Sequence, residues 1–151
     1  MRKTKGMADI SAKERTARAA KARGCIVLGT RAFKALKEGT SPKGDVLATA
    51  RLAAIQAVKA TPTIIPMCHP ILVEAIEVDF GLNPSRQSVT ATIAVKSSGK
   101  TGVEMEALCG AAAACLTIYD MLKYAGKGAT IGPIQLLEKS GGRSGNYKRS
   151  G

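Results

Sequence analysis

Asp120 and Lys123 stand three residues apart in LTIYDMLKYAGK, a spacing that puts both side chains on one face of a helix. Such a pair is either a surface salt bridge, contributing roughly 0.3–0.5 kcal/mol, or an acid–base pair with a partly desolvated lysine. Asp120 falls near the C-terminal end of its helix, where a carboxylate opposes the dipole and needs a cation beside it. Lys123 can supply that cation, and Lys127 lies beyond the expected helix stop. Upstream, Glu104 and Glu106 are two residues apart, about 200° around a helix axis, so they cannot enter one pocket together. Glu104 follows Thr101 by three, the capping-box spacing, and Glu106 suits a first-turn carboxylate favoured by the dipole. His69, the sole histidine, sits in the proline-stiffened PMCHP segment and titrates near neutrality when unperturbed. A rigid loop suits a catalytic group, with a purely structural histidine as the alternative. Lys43 in SPKGD precedes a helix start, where backbone N–H groups and an ammonium suit a phosphate; a solvated turn lysine is the alternative. Arg143 in the glycine-rich GGRSG offers the same chemistry, unless the tail is simply disordered.

These groups need a scaffold, and the helix expected over Thr101–Tyr124, closing at Gly126, is its main beam. The fourteen residues from Glu106 to Asp120 rise roughly 21 Å at about 1.5 Å per residue. A small substrate cannot bridge that distance along one helix. Either two sites exist, or a neighbouring subunit with an antiparallel copy of the helix completes one; the second is favoured and implies an oligomer. The middle of the helix, EALCGAAAACL, is small and apolar all round, so protein is expected on every side.

Around this helix the remaining pattern is strand and helix in alternation. The stretch Thr16–Gly29 ends in CIVL, which suits a strand, and a short helix over Arg31–Lys37 ends in the turn residues GTSPKG. A second helix starts near Asp45, a good N-cap, and runs to about Lys59, with Val46, Ala50, Ala53 and Ala57 on one stripe. Three prolines make TPTIIPMCHP stiff and irregular. Strands follow over Ile71–Phe80 and from Ser88 to Lys96, where apolar residues alternate with polar ones, joined as an antiparallel hairpin through GLNPSRQ. A last strand covers about Thr130–Glu138. This order matches an α+β, ferredoxin-like fold: an antiparallel four-stranded sheet with helices packed on one face. The chain divides into an N-terminal arm, 1–16, expected to be mobile, one catalytic domain, 17–139, and a Gly-rich basic C-terminal tail, 140–151.

Composition narrows the function. A chain of 151 residues fits one core, and with aromatics at 3% and no Trp that core must be built from Ala, Val, Ile and Leu. The longest apolar run, Ala107–Ile118, falls short of the roughly 20 residues a bilayer span needs, and MRKTKGMADIS lacks the apolar stretch of a secretory signal. No membrane helix is expected, and the cytoplasm is the default location. Cys25, Cys68, Cys109 and Cys115 form no C-x-x-C pair and lie in apolar sequence, so they read as reduced thiols. No protein-held metal is assigned. The formal charge of +12, from 23 basic and 11 acidic residues, calls for an anionic partner: nucleic acid, a membrane surface or a polyphosphate metabolite. The few scattered Phe and Tyr residues make no stacking platform for single strands.

In order along nearly the whole chain, MADISAKERTAR, KGDVLATARLAAIQA, IPMCHP, KTGVEMEALCGAAAACLTIYDMLK and IGPIQLLEKSGGRSG resemble the cyclic pyranopterin monophosphate synthases of molybdenum cofactor biosynthesis. Met67 stands where Leu is common in that family and Cys109 where Thr is common. The resemblance implies a lyase that converts 3',8-cyclo-7,8-dihydroguanosine 5'-triphosphate to cyclic pyranopterin monophosphate plus diphosphate. It implies Asp120, Lys123 and Lys43 as catalytic residues, and Met67, Cys68, His69, Glu104, Met105, Glu106, Lys13 and Arg18 as substrate-binding residues. It implies a homo-oligomer, a hexamer built as a trimer of dimers with sites between subunits. No protein-bound cofactor is expected, only Mg²⁺ with the substrate triphosphate; the partner is a small-molecule nucleotide, with no nucleic acid and no membrane. Two alternatives follow from the charge and the pocket: a basic RNA-binding module, and a non-catalytic nucleotide or pterin carrier.

Overall fold

A computed structural model describes residues 5–151; the first four residues of the expected N-terminal arm lie outside the described residues. Its sheet has five antiparallel strands: β1 (Thr16–Val27), β2 (Val73–Asn83), β3 (Ser88–Gly99), β4 (Thr130–Ser140) and β5 (Tyr147–Lys148), in the order β2-β3-β1-β4-β5. Three helices, α1 (Thr30–Glu38), α2 (Val46–Ile64) and α3 (Glu104–Leu122), complete the α+β arrangement. The one strand beyond the expected four is the short β5, which pairs Tyr147 and Lys148 with the end of β4.

β1 is the central strand, paired with β3 on one side and β4 on the other. Its buried positions alternate, Ala20, Ala22, Gly24 and Ile26, while Arg23 and Val27 face outward. Small residues there let α3 lie close: a Cβ on Gly24 would stand 2.9 Å from Cys115 Sγ and 3.1 Å from the Ala111 carbonyl. Gly110 plays the same part beside Ala111 on α3, where a Cβ would stand 2.9 Å from Val58 of α2 and 3.1 Å from Ile93 of β3. Close packing of backbones thus replaces the aromatic bulk that the composition lacks. Pro133 lies in β4 where the register against β1 slips, a place in a strand where a missing N–H is tolerated.

Four expectations are corrected. First, α2 runs through Pro62 to Ile64 and does not stop near Lys59. Pro62 lies in the last turn, where it removes only one helical donor, and the Thr61 hydroxyl donates to the Ala57 carbonyl at 2.9 Å. The helix ends at Ile64, and its C-cap Ile65 is extended because it directly precedes Pro66, whose ring disfavours helix at the preceding residue. Second, the capping box is absent. α3 begins at Glu104 with Val103 as its N-cap and no side-chain cap, so Glu104 is the first helical residue and its carboxylate folds back over Gly102. Third, α3 is not enclosed on every face: Leu116 is 60% exposed, and Ala112 and Ala113 are half-buried. Fourth, the continuous helical span Glu104–Ala125 has 22 residues and contains an 18-residue window of mean hydropathy 1.4, long and apolar enough to cross a bilayer by length and composition. Here it is the core helix, packed on α2, β1, β3 and β4.

Candidate active site

At the C-terminal end of α3, Asp120 is held between two ammonium groups. Its Oδ2 lies 2.7 Å from Lys43 Nζ and its Oδ1 lies 2.7 Å from Lys123 Nζ. Lys123 opens a 3₁₀ turn, Lys123–Ala125, that tightens the helix end before Gly126. Lys43 arrives from the α1–α2 loop, which is tied down by the buried Ser41 hydroxyl donating to the Met121 carbonyl at 3.0 Å. The Tyr124 hydroxyl donates to the Thr40 carbonyl at 3.2 Å, a second tie between the same loop and helix end. The side-chain bonds from Lys123 and then Lys43 hold the Asp120 carboxyl down at about 2, and Asp120 in turn raises Lys123. All three side chains are about half exposed. The expectation of a phosphate seat where Lys43 precedes α2 is not met. The Asp45 carboxylate caps that helix by accepting the Ala48 N–H at 2.9 Å, and Lys43 reaches Asp120 instead.

At the opposite end of α3 a cleft of about 620 Å³ gathers Lys13, Arg18 and Glu104 with Lys139, Arg143 and Ser144. Arg18 is aimed by its Nε donating to the Gly99 carbonyl at 3.2 Å. The tail passes over Arg18 with Gly141 and Gly142 at φ of 90° and 80°, and a Cβ on Gly142 would meet the guanidinium. Only glycine combines that conformation with that closeness. Lys139 is bonded to the Ser144 hydroxyl. Four cations against Glu14 and Glu104 leave this cleft positive, as a polyphosphate needs. A second depression, about 460 Å³, lies along the sheet beside Ala19, Lys21, Ala94, Glu138 and Lys148 and holds none of the candidate acid–base groups.

The CHP loop lies beside the first turns of α3. Glu106 is 2% exposed, and burial, reinforced by the charge of Glu104, raises its carboxyl above the ordinary range against the opposing bond from its own N–H. Burial also raises the Cys68 thiol, with the charges of Glu106 and Cys109 adding to it. His69 is half-buried, its Nε2 2.8 Å from the Ala8 carbonyl. Met67 is exposed, and Met105 is half-buried between the two glutamates. Among the described residues no three His, Cys, Asp or Glu side chains gather as they would around a metal ion.

The fold therefore brings together Asp120, Lys123 and Lys43; Lys13, Arg18 and Glu104; and Cys68 with Glu106. It does not bring the first group to the other two, since a whole helix separates them. Glu104 and Glu106 diverge as their spacing demands, one toward the cleft and one into the core. Lys139 and Ser144 were missed. Lys139 precedes the SGG turn, and a lysine entering a glycine-rich bend was the only available signal.

The sequence model of the MoaC family matches residues 7–142. A cyclic pyranopterin monophosphate synthase of Methylobacterium nodulans (strain LMG 21967 / CNCM I-2342 / ORS 2060) is 50% identical over 142 residues, 94% of this chain and 89% of that protein. One of Methylobacterium sp. (strain 4-46) is 49% identical over 141 residues, covering 93% and 88%. One of Desulforamulus reducens (strain ATCC BAA-1160 / DSM 100696 / MI-1) is 47% identical over 146 residues, covering 96% and 88%.

Proposed function

The chain belongs to the MoaC family, and from that premise we propose that it converts 3',8-cyclo-7,8-dihydroguanosine 5'-triphosphate to cyclic pyranopterin monophosphate and diphosphate. It is an enzyme of molybdenum cofactor biosynthesis. The observation that carries the reaction is the Lys43–Asp120–Lys123 group, a carboxylate fixed between two ammonium groups before any substrate arrives. Held near a pKa of about 2, Asp120 does not donate a proton at neutral pH; it holds two ammonium groups side by side. Lys123 is the proton donor when a substrate oxygen takes the carboxylate's place, because the Asp120 contact that raised it is then lost. Ring opening needs water to add and protons to shuttle, which His69 and Glu106, its carboxyl raised by burial, serve. In the closing step a hydroxyl oxygen of the substrate bonds to the α-phosphorus, its proton goes to a base, and the bond to the β-phosphate breaks with its electron pair leaving on diphosphate. Lys13, Arg18, Lys139 and Arg143 stabilise that growing charge. Mg²⁺ enters with the triphosphate as part of the substrate, and no cofactor is held by the chain itself.

The enzyme works as a hexamer, a trimer of dimers in the cytosol, with each site completed between subunits. Two features support this: the separation of the two charged groups along α3, and the exposed Leu52 and Leu116 on α2 and α3. Incubation with the cyclised intermediate should release diphosphate and give a fluorescent pterin after oxidation. A wild type that makes neither, or unchanged turnover in Asp120→Asn and Lys123→Ala, would refute the reading.

A further inference from the structure

The segment Ala8–Lys13, apart from Lys13, has no part in the chemistry above, yet it is folded against the site. Asp9 Oδ1 accepts the Ser11 N–H at 2.9 Å, and the Ile10 carbonyl accepts the Lys13 N–H at 3.1 Å, which makes a compact turn. Lys100 Nζ donates to the Ser11 carbonyl at 2.7 Å and anchors that turn beside the start of α3. The Ala8 carbonyl stands 2.8 Å from His69 Nε2. A carbonyl oxygen only accepts, so Nε2 must carry the proton. In the neutral ring Nδ1 then keeps its lone pair, and among the described residues it makes no hydrogen bond.

We propose that the Ala8–Ser11 turn is a positioning element for the reaction: the Ala8 carbonyl fixes His69 as the Nε2–H tautomer, leaving Nδ1 as the proton acceptor, and Asp9 sets where that carbonyl stands. This rests on the reading that His69 moves a proton during ring opening. Orientation of a histidine through its second nitrogen is a general way to fix which nitrogen reacts. Lys13 leaves the same turn for the cationic cleft, so one short segment ties the ring-opening group to the phosphate-holding one.

His69 is the sole histidine, so its ring signals in the ¹⁵N-labelled full chain are unambiguous. Above the ring's titration, wild type should show an unprotonated Nδ1 and an Nε2 proton protected from exchange with water. Asp9→Ala should speed that exchange at least about tenfold as the contact opens locally. The same change should lower kcat about ten- to a hundredfold through misorientation. Asp9→Asn keeps the Oδ1 acceptor and should restore both readouts to within about threefold. Lys100→Met, which frees the other anchor, should move the ring signals in the same direction as Asp9→Ala. A protonated Nδ1 in wild type, or ring exchange and turnover unmoved by Asp9→Ala, overturns the proposal. His69→Ala with full turnover would instead remove the proton-transfer reading beneath it, while the ring signals of the wild type stand as described.

Discussion

At the C-terminal end of α3, Asp120 stands half exposed with an ammonium group on each carboxylate oxygen; near the N-terminal end, Glu106 is buried and makes no ion pair among the described residues. The same functional group on the same helix is driven in opposite directions, Asp120 down by its lysines and Glu106 up by burial. Carboxylates whose environments separate their pKa values in this way take different proton-transfer roles. The charge balance differs as well. Two cations face one carboxylate around Asp120 and both are ion-paired with it, whereas the cleft sets Lys13, Arg18, Lys139 and Arg143 against Glu14 and Glu104 with no ion pair among the described residues. One end pairs its charges within the chain and the other leaves them open to a partner.

The largest effect is expected where compensation is removed. Asp120→Asn leaves Lys43 and Lys123 facing each other and should lower turnover about a thousandfold, measured as diphosphate release, while the melting temperature changes little because all three groups are half exposed. Equal loss of rate and of stability would break the distinction between the two ends. Next comes the beam that joins them. Gly24→Val forces side-chain atoms into Cys115 and Ala111 and should cost about 1–3 kcal/mol in denaturant unfolding, with activity lost as α3 shifts. A smaller effect is expected in the cleft. Lys139→Ala should lower kcat/KM about tenfold and make it less sensitive to salt, with kcat falling as well, since the cation both attracts the triphosphate and stabilises the charge growing on diphosphate.

The smallest effects separate the two carboxylates by sign. The folded value for Glu106 lies above its ordinary 4.5, so the native state binds the extra proton between the two values. Relative to Glu106→Gln, wild type should therefore lose stability as pH rises from 4.5 through the folded value. Asp120 is depressed from 3.8 to about 2, so relative to Asp120→Asn its contribution is present above 3.8 and is lost as pH falls toward 2. Thermal melts across both windows should give slopes of opposite sign.

Legibility in the sequence followed the range of the interactions involved. The Asp120–Lys123 pair was readable because helical spacing alone brings residues three apart together. Lys43 was not, because its contact with Asp120 spans 77 positions in sequence and depends on the Ser41 tie; only the family resemblance grouped the three. The hairpin announced itself through its period of two, but most of β1 is Ala, Arg and Lys, and its strand character comes from packing of Ala20, Ala22 and Gly24 under α3. Pro62 and the Thr101–Glu104 spacing both misled, for one reason. A local rule marks a helix end only if the helix starts or stops there, and tertiary packing carried α2 one turn further and started α3 at Glu104.

The most direct test asks whether the two ends of α3 serve one shared site. Asp120→Asn subunits and Lys13→Ala/Arg18→Ala subunits, each inactive alone, would be unfolded together in equal amounts, refolded and assayed for diphosphate release. If each site takes one end from each of two subunits, half of the random pairs are mixed, and each mixed pair carries one site free of substitutions. About a quarter of wild-type turnover should return. A refolded mixture no more active than its parents would contradict a site built from opposite ends of two helices.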